Sequence, residues 1–403
     1  MRIRIALTLG LSALLVGCAS FTLEPAADRD TPGAVAVAAP IPASTWPDRL
    51  GGRGAGVIRD LDTKGLIPGR LRRGRYLEPG ESDLADARAL IAAEAPGQRL
   101  TFTFEGPGSL IYTPSIDPKR PSDPSYFVYT SAAPAKEGAA LIQRTWFGYS
   151  PAEEPKGLLL IVPGMLGTPA GLIDGFTTAL MARGWSILRM MAHPSRFTEH
   201  IEFRVDPESD QDAAFLASVL TDRAAEAAYA ATDAIRHAAT LDPRLDGLPV
   251  AAFGISGGAM ILPTILARQP ELYDAAVISA GGANFFQVNH DSSYARWIGA
   301  FSVEFPSGAT REDELEFSRR YLRAAPLDSY HTARTLTDLR ILMIHGSKDE
   351  AVPAYLGDLL WERLGKPERM VSNVGHELLF LSLPLRFVRV MDWLDETLNG
   401  GAR

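Results

Sequence analysis

The most regular feature of the sequence is an alternation of apolar, β-rich runs with helical patterns after residue 156. The run GLLLIV is unbroken, which is typical of a strand buried on both faces of a parallel sheet. The pattern predicts, in chain order, strand Gly157–Val162, helix Ala170–Arg183, strand Ser186–Met190, one or two helices in Ala213–Thr240, strand Pro249–Ile255, helix Gly257–Arg268, strands Tyr273–Ser279 and Arg340–His345, helix Ala354–Leu364, strand Arg369–Asn373 and helix Leu383–Leu398. This alternation predicts an α/β fold with a mostly parallel central sheet wrapped by helices.

Other segments depart from this alternation. Four β-rich runs precede it and predict a group of strands, some of them antiparallel: Leu100–Glu105, Ser109–Thr113, Tyr126–Thr130 and Leu141–Tyr149. Two insertions, near 193–216 and 281–339, follow predicted strand ends, where ligands bind in open α/β sheets. The second insertion predicts a cap over the site, a small satellite core, or both, from its aromatic residues Phe285, Phe286, Tyr294, Trp297, Phe301 and Phe305. We expect Phe285, Phe286 and Trp297 to line a substrate pocket.

The first residues have the pattern of a secretory signal. A short basic segment precedes the apolar run Ile5–Gly17, which is shorter than the roughly 20 residues that a membrane-spanning helix needs. The run ends in Leu-Val-Gly followed by Cys18, and this ending resembles the lipobox of bacterial lipoproteins. The resemblance implies that cleavage leaves Cys18 as a lipidated first residue. An ordinary signal peptide with an incidental cysteine, or a buried N-terminal strand, is the alternative.

The segment after Cys18 is rich in Ala, Pro and Asp and has little periodicity, which predicts a flexible tether over residues 18–45. Several acyl chains would hold the protein stably at a membrane surface. Ala19 stands where an Asp would favour the inner membrane, so the resemblance implies the outer membrane of a bacterial envelope, facing the periplasm. The predicted organisation is a signal peptide (1–17), the tether (18–45), an N-terminal extension (46–125) and a main domain (126–398).

Composition excludes several classes of function. The formal net charge is −8, so the sequence offers no overall basic character for binding nucleic acid. A single cysteine excludes an intramolecular disulfide and a thiolate metal cluster. The glycine-rich segment Gly51–Gly56 lacks the spacing of a dinucleotide-binding loop and is interpreted as a plain loop. The arginine-rich segment Gly69–Tyr76 is either a solvated loop or a contact with anionic headgroups or an acidic substrate.

The strongest chemical signal is Gly254-Ile255-Ser256-Gly257-Gly258, which matches G-x-S-x-G. This pattern places a serine on a strained strand-to-helix turn, where only very small neighbours fit. The motif alone is weak, but here it lies between a predicted strand and a predicted helix, the context that the turn requires. Ser256 is therefore a candidate nucleophile, and a serine in an ordinary tight turn is the alternative.

A serine hydroxyl needs a general base, and the base needs an acidic partner. Of seven histidines, only His376 lies beyond the last long predicted strand, in the loop before the closing helix. His345 precedes a glycine at a strand end and is expected to pack locally. Asp349 follows the same strand and is the favoured acid, with the adjacent Glu350 as the alternative.

The chain order Ser256, Asp349, His376 resembles that of the α/β-hydrolase family, and the resemblance extends from about Tyr126 to Leu398. It implies an oxyanion hole made of two backbone N–H groups. One would come from Gly257, and the other from Met165 in the loop PGMLG, where Pro163 replaces the family's usual His.

These residues predict a membrane-tethered serine hydrolase that forms an acyl-enzyme, with a small ester or acyl compound as substrate. No metal or organic cofactor is implied, and the oligomeric state is left open. A peptidase or amidase on the same fold is the first alternative. Peptidases of this fold often carry a propeller domain, and the sequence contains no propeller repeat. A non-catalytic envelope protein with a hydrolase fold is the second alternative.

Overall fold

The structure is a computed structural model. It describes residues 21–27, 37–46, 54–58, 71–72, 75–76, 104–105, 111–112, 126–132, 143–164, 170–190, 201–295 and 301–399. Within these ranges the strands are β1 Thr22–Glu24, β2 Gly54–Ile58, β3 Leu71–Arg72, β4 Arg75–Tyr76, β5 Phe104–Glu105, β6 Ile111–Tyr112, β7 Tyr126–Ala132, β8 Gln143–Ser150, β9 Gly157–Val162, β10 Trp185–Met190, β11 Ile201–Arg204, β12 Val250–Ile255, β13 Ala275–Ser279, β14 Phe301–Glu304, β15 Arg340–Gly346 and β16 Glu368–Ser372.

The α-helices of the same ranges are α1 Ala170–Met181, α2 Asp210–Leu241, α3 Gly257–Arg268, α4 Phe285–Asp291, α5 Arg311–Ala324, α6 Ser329–Thr332, α7 Ala354–Arg363, α8 His376–Leu381 and α9 Leu383–Asn399. Five of them (α1, α2, α3, α7 and α9) match predicted helices, whereas α4, α5, α6 and α8 were not predicted. None of the helices described is both long and apolar enough to cross a membrane.

The main sheet has ten strands in the order β1-β16-β15-β13-β12-β9-β10-β8-β7-β2. The six strands from β16 to β10 are parallel, and the strands outside them pair antiparallel on both sides. β11 and β14 form a separate parallel pair, and β3 to β6 form a small second sheet. The predicted mostly parallel sheet is confirmed.

Helices cover both faces of the main sheet because its central strands are apolar on both faces. In β9, Leu158 and Leu160 belong to the core under α2, α3 and α7, whereas Leu159 and Ile161 belong to the core under α1 and α9. All six residues of β9 are buried. Burial on both faces of the sheet, as predicted from the sequence, therefore explains the unbroken apolar run.

Helix α2 is one continuous helix of 32 residues. Ser209 caps the start of the helix by accepting the N–H of Asp212. The helix ends at Leu241, and its C-cap Asp242 is followed by a proline. The face of α2 toward the core is lined by alanines, ten of which are at most 4% exposed. Small side chains on this face leave room for the helix axis to lie close to the sheet.

The prediction of a flexible tether over residues 18–45 is wrong for the two parts that the structure describes. Thr22–Glu24 forms an edge strand whose Thr22 lies opposite Val371 of β16. Farther along, the Ala38 N–H donates to the Arg334 carbonyl at 3.0 Å. Trp46, just after the predicted tether, is 3% exposed and belongs to the main core. Backbone pairing and apolar burial thus hold these residues on the domain.

The predicted domain start at residue 126 is also too late. β2, which lies in the predicted N-terminal extension, pairs with β7 and forms one edge of the main sheet. The opposite edge is β1. Because both edges come from residues before 126, the main sheet and the predicted extension are one structure in this region.

Candidate active site

Ser256 lies at the turn between β12 and α3 with φ 51° and ψ −118°. Such a backbone conformation is strained for a residue with a side chain and costs about 1–3 kcal/mol. Two backbone hydrogen bonds hold it, because the Ser256 N–H donates to the Ser279 carbonyl at 2.8 Å and the Ser256 carbonyl accepts from Met260 at 2.9 Å. The turn thus presents the serine at the carboxyl end of the sheet.

The glycines of the motif are required by space. A Cβ added at Gly254 would lie 2.8 Å from the Ala259 Cα. At Gly258 it would lie 2.7 Å from the Val162 carbonyl carbon and closer still to the carbonyl oxygens of Val162 and Pro163. Both obstacles are backbone atoms, which cannot rotate aside. The G-x-S-x-G pattern therefore has a packing cause on each side of Ser256.

A hydrogen-bonded relay leads away from the serine hydroxyl. Ser256 Oγ lies 3.0 Å from His376 Nε2, and His376 Nδ1 lies 2.6 Å from Asp349 Oδ2. The network assigns Nδ1–H as donor to the carboxylate and Nε2 as acceptor from the hydroxyl. The other oxygen, Asp349 Oδ1, accepts the N–H groups of Ala351 at 3.0 Å and Val352 at 2.8 Å. Each group is therefore oriented by the next one.

The structure brings the three predicted residues together from separate elements. Ser256 precedes α3, Asp349 follows β15, and His376 is the first residue of α8 rather than part of a loop. The acid and the base are buried, whereas Ser256 is only partly buried. The alternative acid Glu350 is exposed, and its side chain takes no part in the relay.

Two aromatic rings pack edge-on against the His376 imidazole. The Phe380 ring centroid lies 4.7 Å away and the Tyr294 centroid 5.7 Å away. The Tyr294 hydroxyl donates to Glu377. Burial and this hydrogen bond raise the pKa of Tyr294, and the hydrogen bond lowers the pKa of the Glu377 carboxyl. The rings restrict the imidazole and exclude water from its sides.

The segment that carries Tyr294 is hydrogen-bonded to the loop after β15, which carries Asp349. Ser292 Oγ donates to the Ala351 carbonyl at 2.5 Å, and the Ser293 N–H donates to the Glu350 carbonyl at 2.8 Å. From the sequence, Tyr294 was predicted only as one aromatic residue of the insertion, and Phe380 was not predicted. The signal for Phe380 is its spacing, because it lies one helical turn after His376.

The oxyanion hole is described in part. Gly257 is the first residue of α3, so its N–H is among those without an intrahelical acceptor. A Cβ at Gly164 would lie 3.2 Å from the Ser256 Cβ, which places the start of the PGMLG loop beside the nucleophile. The second predicted donor, Met165, lies outside the described residues, as do Trp297 and the predicted lipidation site Cys18.

The prediction that Phe286 lines a substrate pocket is wrong. Its side chain has no exposed surface and packs against the rings of Phe305, Phe317 and Tyr321. Phe285 is also buried, and both belong to the main core rather than to a satellite cluster. Their apolar surface stabilises the inserted segment on the domain.

Asp328 holds this inserted segment in place and was not singled out from the sequence. One oxygen accepts the N–H groups of Asn284 and Tyr330, and the other accepts the Phe285 N–H and the Tyr321 hydroxyl. Burial raises the pKa of the Asp328 carboxyl. The four hydrogen bonds compensate for the desolvation of this buried group.

His345 is buried in β15, and its imidazole contacts the backbone at Gly357 and lies 3.6 Å from Asp358 Oδ1. Burial lowers its pKa, so it packs as a neutral ring. Over the ranges that the structure describes, no three His, Cys, Asp or Glu side chains converge as metal ligands.

Comparison with known proteins agrees with this geometry. The profile of the prolyl oligopeptidase family (Peptidase_S9) matches residues 210–377, a range that contains Ser256, Asp349 and His376. A comparison with curated proteins gave no significant match.

Solved structures similar to this chain include a peptidase and esterases. The acylaminoacyl peptidase of Pyrococcus horikoshii aligns at 14% identity with a TM-score of 0.42, and the alignment covers 63% of this chain but only 40% of the peptidase. An esterase of Pyrococcus furiosus aligns at 11% identity with a TM-score of 0.39, covering 63% of this chain and 88% of the esterase. Est1E of Butyrivibrio proteoclasticus aligns at 12% identity with a TM-score of 0.39, covering 65% of this chain and 96% of that protein.

The strand order of the main sheet and the strained serine turn between β12 and α3 confirm the predicted α/β-hydrolase fold. The segment that matches the prolyl oligopeptidase family, residues 210–377, contains all three residues of the relay.

Proposed function

We propose that the chain hydrolyses carboxylic esters of small acyl compounds, with Ser256 as nucleophile, His376 as general base and acid, and Asp349 as the group that orients His376. The observation that carries this proposal is the continuous relay, with 3.0 Å between Ser256 Oγ and His376 Nε2 and 2.6 Å between His376 Nδ1 and Asp349 Oδ2. These distances lie within the range that proton transfer requires.

In the first half of the reaction, Ser256 Oγ attacks the carbonyl carbon while His376 Nε2 takes the hydroxyl proton. The negative charge that forms on the carbonyl oxygen is stabilised by the Gly257 N–H at the start of α3 and by the Met165 N–H. His376 then donates its proton to the departing alkoxide, and the acyl group stays on Ser256. In the second half, His376 Nε2 takes a proton from the water that attacks the acyl carbon, and it returns this proton to Ser256 Oγ as the bond between Oγ and the acyl carbon breaks and the acid is released.

An ester is easier for this site to cleave than the matching amide. An alcohol is a better leaving group than an amine, so a triad that cleaves an amide also cleaves the matching ester, whereas the reverse need not hold. Binding geometry decides whether the harder reaction occurs, because near-attack positioning can supply several kcal/mol of the barrier.

A fluorophosphonate probe tests the nucleophile. We expect covalent labelling of the wild-type chain, mapped by mass spectrometry to Ser256. Labelling should disappear in Ser256→Ala and fall at least about 100-fold in rate in His376→Ala, because the hydroxyl then lacks its base. Ser279→Ala is a matched control, since the Ser279 side chain is buried in β13, its hydroxyl makes no hydrogen bond to the described residues, and its backbone carbonyl, which accepts the Ser256 N–H, is kept in the variant. A folded wild-type chain that stays unlabelled would contradict the proposal.

The second candidate function is hydrolysis of peptides or other amides. The observation that favours it is the match of residues 210–377 to the prolyl oligopeptidase family. p-Nitrophenyl esters and p-nitroanilides that share one acyl or aminoacyl group separate the two functions. We expect turnover of the esters and kcat/KM values for the anilides at least about 1000-fold lower, which corresponds to about 4 kcal/mol. Anilide turnover within about tenfold of the matching ester would favour the peptidase.

We further propose that the chain is anchored by acyl groups on Cys18 to the outer membrane of a bacterial envelope, facing the periplasm. The lipobox-like ending of the N-terminal apolar run supports this location. Cells fed with radiolabelled palmitate should label the wild-type chain and not Cys18→Ser. Equal labelling of both chains would exclude acylation at this residue.

A further inference from the structure

Helices α8 and α9 carry a line of exposed apolar side chains. Leu378 is 44% exposed, Leu381 55%, Leu385 53% and Val388 58%. Their spacing of three or four residues places them on one face, and Ser382 between the two helices keeps a helical backbone. We call these four residues the α8–α9 stripe. Single exposed leucines are common on proteins, but a continuous line along one helical face marks an interaction surface.

The opposite face of α9 is fully used in the fold. Leu383, Val390 and Leu394 are buried in the core on this side of the sheet. The stripe therefore cannot turn inward without removing these residues from the core. Its apolar surface is left for a partner outside the described part of the chain.

The stripe itself is uncharged, and both basic and acidic side chains border it. Residues 378–391 contain two arginines and no Asp or Glu. Arg386 is buried and hydrogen-bonds Ser372 and Ser382, whereas Arg389 is partly exposed, 3.7 Å from Glu368. Exposed Glu377 directly precedes the stripe and partly exposed Asp392 lies one helical turn after Val388, so the stripe suits the interface of a bilayer through its apolar area and not through its charge.

The N-terminal part of the chain joins the fold beside α9. β1 places Thr22 opposite Val371, and Phe21 packs against the core under α9. The Arg386 guanidinium lies 5.8 Å from the centre of the Phe21 ring. A helix with side chains is about 10–12 Å across, so the stripe lies within about one helix diameter of Phe21.

Covalent geometry limits how far Cys18 can be from this point. Three steps between consecutive Cα atoms lead from Cys18 to Phe21, and an extended chain spans at most about 3.6 Å per step, or about 11 Å in all. If Cys18 carries acyl chains, as proposed above, the membrane surface must lie within about this distance of Phe21. Two exposed apolar surfaces of the described chain then lie near the anchored end: Leu23, which is 41% exposed, and the stripe on the outer side of α9.

We propose that the α8–α9 stripe docks on the lipid bilayer to which Cys18 is anchored. The leucine and valine side chains enter the boundary between headgroups and acyl chains, and the short connection from Cys18 fixes the orientation of the domain. The stripe begins two residues after His376, so docking holds the base of the triad close to the membrane surface.

Fluorescence in vesicles tests the docking. The full acylated chain is reconstituted in vesicles of phosphatidylethanolamine and phosphatidylglycerol, with an environment-sensitive NBD label at Leu385→Cys. An acylated Cys18 has no free thiol, and the chain without an added cysteine measures any labelling there. Phe215→Cys is the matched control, because Phe215 is 61% exposed on α2, on the opposite face of the sheet. We expect a blue shift and protection from an aqueous quencher at position 385 and none at position 215.

A label at position 385 that is quenched as fully as the label at position 215 would overturn the proposal. Protection of the label at position 385 that is already complete for the Cys18→Ser chain in buffer without lipid or detergent would also overturn it, because the stripe would then be covered by residues 1–20 or by a second copy of the chain. Failure of the anchor is recognised separately by the absence of acyl label on Cys18.

The stripe's own affinity is measured with Cys18→Ser, which has no anchor. Co-flotation of this chain with the same vesicles should fall about tenfold or more when Leu381→Asp and Leu385→Asp are added, because two buried leucines are lost from the interface. Absence of any flotation of Cys18→Ser, together with an unprotected label at position 385, would exclude the docking surface.

Discussion

Gly258→Ala is the sharpest test of how the fold positions the nucleophile. The added Cβ would lie 2.7 Å from the Val162 carbonyl carbon, whereas ordinary contact begins at 3.4 Å, so the two backbones must separate by at least the difference of 0.7 Å. Val162 leads into the loop PGMLG, and Gly258 follows Gly257, so the shift separates the two proposed oxyanion donors. Misplacement of about 1 Å can cost about 100-fold in rate, and overpacking costs about 1–3 kcal/mol in stability.

Steady-state rates on a p-nitrophenyl ester and thermal unfolding measure both effects. We expect kcat to fall about 100-fold or more and the melting temperature to fall by about 2–10 °C. The control is Gly175→Ala in α1, where an added Cβ meets nothing within 4 Å. It should leave the rate unchanged and stabilise the protein by about 0.5–1 kcal/mol, because alanine favours the helix. A fully active, equally stable Gly258→Ala would refute this account of the turn.

Three further predictions concern groups around the relay. Asp349→Asn should lower kcat by about 10⁴-fold because His376 loses the partner that fixes its tautomer, whereas Glu350→Gln should change it less than about threefold; equal losses would contradict the choice of acid. Tyr294→Ala should lower kcat about tenfold by freeing the imidazole, and Tyr294→Phe, which keeps the ring, should lose less than about threefold in the same assay. Burial lowers the pKa of His345, so below pH about 6.5 the unfolded chain binds a proton that the folded chain does not. The free energy of unfolding therefore decreases by up to about 1.4 kcal/mol for each unit by which the pH is lowered. His345→Gln should remove this slope in urea unfolding at pH 8 and 5.5, and an unchanged slope would show that other groups cause it.

The parallel strands and the serine turn were predictable because their causes are local. The run GLLLIV predicts a strand buried on both faces whatever its neighbours are, and all six of its residues are buried. The glycines on either side of Ser256 mark a turn in which a Cβ has no space. Ser256, Asp349 and His376 then come together because each lies near the carboxyl end of a parallel strand, and these strand ends meet at one edge of the sheet.

The inserted segment shows that hydrophobic periodicity does not predict which aromatic residues face the core and which face the active site. Phe286 and Tyr294 are eight residues apart and both are aromatic, yet Phe286 is fully buried among other rings whereas Tyr294 packs on His376. An aromatic residue satisfies a core and a functional site equally well, and sequence spacing alone does not tell which one it faces. Asp328 was missed for a related reason, because its four hydrogen bonds come from segments that are distant along the chain.

The N-terminal segment was misjudged because its stabilising contacts are long-range. Nothing in the composition of Thr22–Glu24 indicates that it pairs with β16, and a three-residue strand carries no period. The consequence for an anchored protein is large. A flexible tether over residues 18–45 would have a mean end-to-end distance of about 30 Å, whereas the three residues from Cys18 to Phe21 reach at most about 11 Å. A domain on the long tether could face the membrane in any orientation. A domain held at β1 has its α8–α9 stripe, and with it the helix that begins at His376, near Phe21 and thus near the proposed anchor at Cys18.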